Sequence, residues 1–321
     1  MYKKQLFVKK FLGYLLFSFL FSELFGIIEV NKPCRFGAFA VYGLTFYNAC
    51  GIILEKSEKQ SNFLRKEKYM YCWHNHPVRA VNHRGFNKEA PENTISAYRL
   101  SKEKGFLFVE CDVSFTSDNV PVLLHDDTVN RTSNGRGKVS EMTFEALRRL
   151  DFGGWVSEKY AGEKIPTFEE FIFFCRNVGL YPYIELKEGF NKERAEMLMR
   201  LVRRYGMYGK VTWISFFADS LTYIKNIDEK ARLGFLTEKL TEKDVATAKA
   251  LRTGKNEVFI DTKYTKVNKK TVKMCMDEEI PLEVWTIDTE EEIVALDPYV
   301  NGITSDNLIA GKVLCQNILN L

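Results

Sequence analysis

Apolar and amphipathic segments alternate along the larger part of the chain, from residue 79 onward. The short apolar runs are rich in β-branched and aromatic residues, which favour strands. They are RAVNHRG, FLFVECDVSF, VPVLLHD, YPYIELK, VTWISF, ARLGFLT, EVFIDTKY, LEVWTID and NGITSD. Segments of helical period lie between them, such as TISAYRLSKEKG and KERAEMLMRLVRRYG, and NLIAGKVLCQNIL predicts a last helix. A strand followed by a helix about eight times over about 240 residues predicts an α/β fold, the TIM (β/α)8 barrel.

The alternation is interrupted at residues 128–165. This segment contains a glycine-rich loop and a single short helical pattern, so we interpret it as a small insertion on the rim of the barrel. Its RTSNGRG sequence lacks the G-K-[ST] ending and the flanking strand and helix that a phosphate-binding P-loop requires. The expected barrel domain is therefore residues 79–321, including the insertion.

Residues 1–78 have a different pattern, with two apolar stretches of 18 and 19 residues at positions 11–28 and 36–54. Each is near the minimum length that crosses a hydrocarbon core, and no small-residue cleavage site follows the first. We expect a membrane anchor of one or two transmembrane helices and a linker, with soluble or peripheral packing of the two stretches as the remaining option. Lysines outside both stretches place the barrel in the cytoplasm if two helices span, and a single signal-anchor places it outside.

Composition and charge exclude some classes of protein. The net charge of +4, from 46 basic and 42 acidic residues, gives no basic surface for nucleic acid. The seven cysteines are odd in number and irregularly spaced, without a C-x-x-C pair, so we interpret them as free, mostly buried thiols. That pattern favours a reducing compartment. The sequence leaves the oligomeric state open.

Four predicted strand ends carry charged residues or histidines that a purely structural strand avoids. The loops that follow the strands of such a barrel surround its mouth, where active sites lie. Residues two apart on a strand point to the same side, so Glu110 and Asp112 can share one cation. Glu185 and Lys187 can face one phosphate for the same reason. In chain order the groups are His83-Arg84, Glu110-x-Asp112, His125-Asp126 and Glu185-x-Lys187.

These residue types together indicate phosphate chemistry. Three converging carboxylates would repel one another, and a hard divalent ion with oxygen ligands, Mg²⁺ or Ca²⁺, removes that repulsion. Histidines titrate near neutral pH, which suits an acid and a base on opposite sides of a phosphorus atom. Arg84 offers a forked set of donors for phosphate oxygens, and Lys187 offers a point charge.

Each candidate also has a structural explanation. An isolated His83 is often a satisfied core histidine, but its match with His125 favours a functional role. Unpaired carboxylates inside the apolar runs FVECDVSF and YPYIELK would be costly, which favours a ligand for them. Glu92 either belongs to the ENT cap of the first helix or contacts the ligand. Phe216 and Trp285 stand at strand ends, where they line a substrate pocket or pack in the barrel core.

An H-x-H motif, His74-Asn75-His76, suggests a different metal site. Such a motif marks the first strand of metal-dependent amidohydrolase barrels. Here it precedes the predicted first strand, and only two other histidines exist to complete a site. We therefore interpret YMYCWHNHP as a linker.

Several separated motifs, in order, resemble the glycerophosphodiester phosphodiesterase family over roughly residues 79–320. They are HRG…APENT, VECDV with VPVLLHDDTVNRT, IPTFEEFI, YIELK, VWTID and GITSDN. The resemblance implies a TIM barrel with a small insertion that hydrolyses a glycerophosphodiester to glycerol 3-phosphate and an alcohol. It implies attack by the glycerol 2-hydroxyl to give a cyclic phosphate that water then opens. By position it makes His83 and His125 the acid/base pair, Glu110, Asp112 and Glu185 the metal ligands, and Arg84 and Lys187 the phosphate contacts.

The resemblance has one departure and leaves alternatives open. Asp288 in WTID stands where the family commonly has asparagine. This departure affects the details of the barrel mouth near the seventh strand and not the catalytic residues. A lysophospholipase D-like enzyme acting on lipid-borne diesters is one alternative, and a non-catalytic module that binds lipid headgroups is another. The second has no need for an acid/base pair beside a metal site.

Overall fold

The computed structural model describes residues 71–73, 76–187 and 189–307. The predicted membrane anchor and the helix predicted for NLIAGKVLCQNIL lie outside these residues. Among the helices of the described part, none is long and apolar enough to cross a membrane. In the same part Cys111, Cys175 and Cys275 are free and buried, as the irregular cysteine spacing indicated.

Eight parallel strands close into a barrel, which confirms the predicted TIM-barrel fold. Around the barrel these strands follow one another in chain order, and the last pairs again with the first. Their bounds are β2 His76–Asn82, β3 Phe108–Phe115, β5 Tyr181–Leu186, β6 Thr212–Ser215, β7 Arg232–Thr237, β8 Val258–Lys263, β9 Leu282–Trp285 and β10 Val300–Ser305. All the carboxyl ends of these strands therefore meet at one mouth.

Helices follow the strands as the 3.6-residue pattern predicts. They are α1 Ile95–Glu103, α2 Phe144–Arg149, α3 Phe168–Val178, α4 Lys192–Arg204, α5 Ala218–Ile227, α6 Glu242–Leu251, α7 Lys269–Asp277 and α8 Glu290–Val294. Threonine caps start several of them: Thr94 accepts from the Ala97 backbone N–H, and Thr167 forms a capping box with Glu170. The ENT segment before α1 is a helix start, as expected.

The side chains of the barrel form two layers of core. Alternate strand residues point inward, and five of them from five strands form one buried cluster, Val81, Tyr183, Ile214, Leu236 and Phe259. Most of the remaining apolar strand residues pack outward against the helices in the largest cluster of the described residues. The same alternation directs His83 and Glu185 inward, because they stand two positions after Val81 and Tyr183. Glu110 and Asp112 stand two and four positions after Phe108, which packs against the inner cluster.

Two short strands pair antiparallel with barrel strands and are additional to the eight. β1, Tyr71–Trp73, pairs with the start of β2, and β4, Pro121–Leu123, pairs with the end of β3. The interpretation of YMYCWHNHP as a linker is therefore wrong for its described residues, since His76 already belongs to β2. The apolar residues Val78 and Ala80 on β2 are buried, which explains why this strand starts earlier than the sequence indicated.

The predicted insertion lies between β4 and α3 and contains the one short helix expected, α2. Two 3₁₀ turns, Val139–Glu141 and Glu158–Tyr160, complete its regular structure. Seven buried apolar side chains give it a hydrophobic cluster distinct from the two clusters of the barrel. They are Val122, Leu124, Val129, Val139, Leu147, Phe152 and Ile165. This packing gives the segment a fixed shape beside the mouth.

Candidate active site

Three carboxylates meet where β3 and β5 run side by side. Asp112 is the register partner of Glu185, and Glu110 precedes Asp112 by two residues on the same face of β3. One oxygen from each lies within 4.8 Å of the others. Glu110 and Asp112 are buried and Glu185 is half-buried. The strand pairing thus builds the convergence that the spacing of the sequence predicted.

Glu110 has one satisfied and one unsatisfied oxygen. Its Oε2 accepts a hydrogen bond from the backbone N–H of Arg84 at 2.9 Å. Its Oε1 is buried without a hydrogen-bond partner among the described residues. Burial, and then the nearby charges of Asp112 and Glu185, raise the pKa of Glu110 well above its usual range. A buried carboxylate of this kind fits a hard divalent cation, which would supply the missing partner and favour the ionised form.

Asp112 is the most strongly paired of the three carboxylates. Its Oδ2 accepts from Asn93 Nδ2 at 2.8 Å, and its backbone N–H donates to Asn93 Oδ1 at 3.2 Å. Lys187 Nζ lies 2.6 Å from Oδ1, and Arg84 Nε lies 3.4 Å from Oδ2. Burial would raise the pKa of Asp112, but the charges of Lys187 and Arg84 outweigh it and lower that pKa.

Lys187 joins the two strands of the cluster. Its Nζ lies 2.7 Å from Glu185 Oε1 as well as 2.6 Å from Asp112 Oδ1. Burial opposes the ammonium ion, yet Asp112 and Glu185 raise the pKa of Lys187, so it stays charged. Glu185 retains a raised pKa because burial and the charge of Asp112 exceed the effect of the lysine. The predicted metal ligands and the predicted phosphate contact are thus immediate neighbours.

Arg84 is held by an unusual backbone conformation. Its φ of 54° lies in the left-handed region, where residues other than glycine are uncommon, and Gly85 follows with φ 77°. A Cβ on Gly85 would lie 2.7 Å from Ala97 Cβ, so the turn needs glycine for its approach to α1. This turn directs the backbone N–H of Arg84 at Glu110, and its guanidinium at Asp112 and Glu92.

His83 is oriented by a carboxylate at the end of the last barrel strand. Its Nδ1 lies 2.7 Å from Asp306 Oδ1, an oxygen that also accepts from Asn87 Nδ2 at 2.7 Å. Burial opposes the charge of Asp306, but the bond from His83 lowers the pKa of Asp306 to about 2. Asp288 Oδ1 accepts from the Asp306 backbone N–H at 2.8 Å. Asp288 therefore supports the loop that carries Asp306.

His125, which follows β4, has a similar arrangement. Its Nδ1 lies 2.8 Å from Oδ1 of the adjacent Asp126. Burial lowers the pKa of His125, and the charge of Asp112 only partly offsets that effect. A carboxylate on Nδ1 fixes the tautomer and leaves Nε2 free to exchange a proton.

Phe216 and Trp285 contact each other across the mouth. Phe216 follows β6 and Trp285 ends β9, two strands that are separated by β7 and β8. Their rings meet edge to face with centroids 6.1 Å apart, and Lys263 Nζ lies 5.3 Å from the indole ring. Phe216 is 37% exposed, so the pair is an aromatic surface at the mouth as well as a packing contact.

Three residues of the site were not assigned from the sequence, namely Asn93, Asp306 and Arg131. Asn93 lies within the helix-start motif ENT, and its contacts with Asp112 on β3 become visible only in the folded barrel. Asp306 follows the last strand in GITSDN, a charged strand end of the same kind as the four that were used. Arg131 lies in the insertion and binds both Glu92 and Asp126.

The closed (β/α)8 barrel brings carboxylates, an arginine, a lysine and two carboxylate-oriented histidines together at its mouth. These are the side chains that a phosphoester hydrolase needs. The sequence model of the glycerophosphoryl diester phosphodiesterase family matches residues 83–310. A glycerophosphodiester phosphodiesterase of Caldanaerobacter subterraneus subsp. tengcongensis is 31% identical over 230 residues, 71% of this chain and 93% of that one. The chain belongs to the glycerophosphoryl diester phosphodiesterase family and is a phosphoric diester hydrolase. The resemblance seen in the sequence is confirmed.

Solved structures support the same fold. A glycerophosphodiester phosphodiesterase from Agrobacterium tumefaciens has a TM-score of 0.60 at 25% identity, and the match covers 75% of this chain and 99% of that one. An Oleispira antarctica phosphodiesterase, solved with the product sn-glycerol-3-phosphate, has a TM-score of 0.65 at 23% identity. That match covers 76% of this chain and 97% of the Oleispira chain.

Proposed function

We propose that this protein hydrolyses glycerophosphodiesters to glycerol 3-phosphate and an alcohol with the help of one divalent cation, Mg²⁺ or Ca²⁺. The convergence of Glu110, Asp112 and Glu185 beside Arg84 and Lys187 carries this proposal. Family membership supplies the substrate class, and the related Oleispira enzyme was solved with sn-glycerol-3-phosphate.

The metal ligands in this proposal are Glu110, Asp112 and Glu185. The buried Oε1 of Glu110, without a partner among the described residues, supports the assignment because such an atom is costly unless a cation binds it. Oxygen-only ligands suit both Mg²⁺ and Ca²⁺. A cation bound there would polarise a phosphoryl oxygen and offset the repulsion between the carboxylates.

Arg84 and Lys187 bind the phosphate in this proposal. Both side chains are largely buried and ion-paired with Asp112, so they are already fixed before substrate arrives. Fixed donors lose little conformational entropy when they bind phosphate oxygens and stabilise charge that develops in the transition state. The planar guanidinium of Arg84 can donate two parallel bonds, whereas Lys187 acts as a point charge.

His83 and His125 move the protons. One histidine accepts the proton of the glycerol 2-hydroxyl, whose oxygen then forms a bond to phosphorus. The other histidine donates a proton to the alcohol oxygen as its bond to phosphorus breaks. Water then opens the cyclic phosphate with the two roles exchanged, which yields glycerol 3-phosphate. Asp306 and Asp126 hold the Nδ1 atoms, so that Nε2 is the atom that exchanges protons.

The second candidate function is lysophospholipase D-like cleavage of lipid-borne diesters. The partly exposed Phe216, in edge-to-face contact with Trp285, favours it because the pair offers apolar surface at the mouth. Phosphate and glycerol would be recognised by the same residues in both reactions. The two candidates therefore break the same bond and differ in whether the glycerol carries an acyl chain.

A substrate panel with a chelator arm tests the proposal. Purified protein is incubated with glycerophosphocholine, glycerophosphoethanolamine, glycerophosphoinositol and a lysophospholipid, and glycerol 3-phosphate and lysophosphatidic acid are measured. We expect glycerol 3-phosphate from the water-soluble diesters, lost on metal removal and restored by Mg²⁺ or Ca²⁺. Lysophosphatidic acid as the main product would favour the second candidate. No turnover of any diester with either ion would refute both and favour a headgroup-binding module.

A further inference from the structure

Arg131, in the insertion, binds two carboxylates through two forks that share Nη2. Nε and Nη2 donate to Asp126 Oδ2 and Oδ1 at 2.8 and 2.9 Å. Nη1 and Nη2 donate to Glu92 Oε2 and Oε1 at 2.6 and 2.9 Å. A guanidinium that makes two bidentate carboxylate contacts uses its planar geometry, which an ammonium ion does not have.

Each of these two carboxylates also holds one residue of the proposed active site. Asp126 Oδ1 lies 2.8 Å from His125 Nδ1, and Glu92 Oε1 accepts from Arg84 Nη1 at 3.0 Å. One continuous chain of contacts therefore runs from His125 through Arg131 to Arg84. It connects the strand end after β4 with the turn after β2, two segments that are far apart in sequence.

The charges along this series of contacts keep the carboxyl groups of Asp126 and Glu92 ionised. The bond from Arg131 has the largest effect on Asp126, and the pKa of this carboxyl falls to about 2. Burial opposes the shift, and the bond from His125 adds to it. Burial would raise the pKa of Glu92, but Arg131 and Arg84 outweigh it and lower that pKa. Glu92 is only 10% exposed, whereas Arg131 is 43% exposed. The guanidinium thus reaches inward from the rim to an enclosed carboxylate.

We propose that Arg131 is a positioning residue that fixes His125 and Arg84 relative to each other, so that the insertion is part of the active site. This inference rests on the proposed roles of His125 in proton transfer and Arg84 in phosphate binding. Without the forks, Asp126 can rotate away from His125, and Glu92 no longer restrains Arg84. Small losses of orientation in such groups reduce the rate of the chemical step.

A second arginine of the insertion provides the matched control. Arg148 on α2 also forms a fork, with Nη2 and Nη1 donating to Glu170 Oε1 and Oε2 at 2.9 and 3.2 Å. Its Nη1 donates further to the backbone oxygen of Ile165 at 2.9 Å. Arg148 therefore anchors the insertion to α3 through partners outside the proposed site. A purely structural role for Arg131 predicts similar effects for the two arginines.

The test compares Arg131→Ala, Arg131→Lys and Arg148→Ala in the full chain, with glycerophosphocholine as substrate. We expect both Arg131 variants to lose about 10- to 100-fold in kcat, the usual effect of removing a partner that orients a functional ligand. Arg131→Lys should be no better than Arg131→Ala, because a point charge cannot make both forks. Arg148→Ala should keep kcat while its melting temperature falls.

Chemical rescue separates positioning from folding. Guanidinium ion at non-denaturing concentration should restore part of the kcat of Arg131→Ala, and methylammonium at the same concentration should not. Wild-type kcat and KM in Arg131→Ala would overturn the inference, and so would an equal loss of kcat in Arg148→Ala. If Arg131→Ala does not fold, Arg131→Lys decides, since wild-type kcat in that variant is the contrary result.

His125→Ala, measured alongside, distinguishes this inference from the proposed function. An inactive His125→Ala together with a fully active Arg131→Lys refutes only the role of Arg131. A fully active His125→Ala refutes the proposed proton transfer itself. Loss of activity in both, with guanidinium rescue confined to Arg131→Ala, supports both proposals.

Discussion

His83 Nδ1 lies 2.7 Å from Asp306 Oδ1, which joins the end of the first barrel strand to the end of the last. The neighbouring backbone makes the same connection, since the His83 N–H donates to the Ser305 carbonyl at 2.9 Å. β10 pairs with β2, so closure of the barrel brings the two residues together. The histidine thus acquires its orienting carboxylate only in the closed barrel.

We predict that Asp306→Asn lowers kcat by about 10- to 100-fold, because the amide cannot hold the same tautomer of His83. The control is Asp288→Asn, which keeps an acceptor for the Asp306 backbone N–H. Steady-state kinetics with glycerophosphocholine measure both. Equal kcat for Asp306→Asn and the wild type would contradict a role for this pair in catalysis.

The same pair predicts how stability depends on pH. The pKa of Asp306 is about 2 in the folded protein, below its ordinary value of 3.8. A depressed carboxyl pKa stabilises the fold above pH 3.8, and that contribution disappears as the pH falls toward 2. We therefore expect the difference in melting temperature between the wild type and Asp306→Asn to shrink between these limits. A difference that stays constant over this range would show that the carboxylate charge contributes nothing.

Metal binding should stabilise the folded protein as well as support turnover. A cation that binds only the folded state at 100 times its Kd adds about 2.7 kcal/mol to the free energy of unfolding. We expect Mg²⁺ or Ca²⁺ to raise the melting temperature of the metal-free wild type and not that of Asp112→Asn. Asp261→Asn is the control, because Asp261 is a buried barrel carboxylate outside the three-carboxylate cluster. Full turnover after exhaustive chelation would refute the metal site.

The activities of His83→Ala and His125→Ala should differ when the leaving group of the substrate changes. Burial lowers the pKa of His125, which keeps it neutral near pH 7 and suits it to accept the first proton. We expect His83→Ala and His125→Ala each to lose about 100-fold or more in kcat on glycerophosphocholine. A p-nitrophenyl ester of glycerol phosphate needs no acid for its leaving group, so the release of p-nitrophenol, which reports the first step, should be restored in His83→Ala only. Recovery of His125→Ala instead would reverse the two roles.

The fold could be predicted because its signals are local. Each barrel strand is an apolar run of the right length, and threonine caps such as Thr94 and Thr167 mark where helices begin. The metal cluster could be predicted for a related reason, since Glu110 and Asp112 lie in an apolar strand where unpaired carboxylates are costly. Both inferences use only the sequence around a residue.

The remaining parts of the site depend on contacts between distant segments. Asp306 gained its role from closure of the barrel, and Arg131 from the fold of the insertion, so the sequence around each residue does not show its partner. The ENT motif has two functions, because Thr94 caps α1 and Asn93 supplies the amide that holds Asp112. A helix-start motif alone predicts only the first of these.

The sequence of residues 1–70 predicts that the protein is attached to a membrane. We propose that the apolar stretches at 11–28 and 36–54 anchor the protein as a helical hairpin with both ends in the cytoplasm. Glu23 weakens the first stretch by roughly 2.5 kcal/mol if it lies near the bilayer centre, which makes a single signal-anchor the competing arrangement.

Fractionation and protease protection test this anchor. The full chain should sediment with membranes and resist extraction by high salt and alkali, as expected for hydrophobic insertion rather than surface binding. A variant without residues 1–70 should be soluble and active, because every barrel strand lies within residues 76–305. In intact cells the hairpin protects the barrel from added protease, whereas a single signal-anchor exposes it. Cleavage of the barrel from outside would therefore refute the hairpin, and complete extraction by alkali would refute membrane insertion by either arrangement.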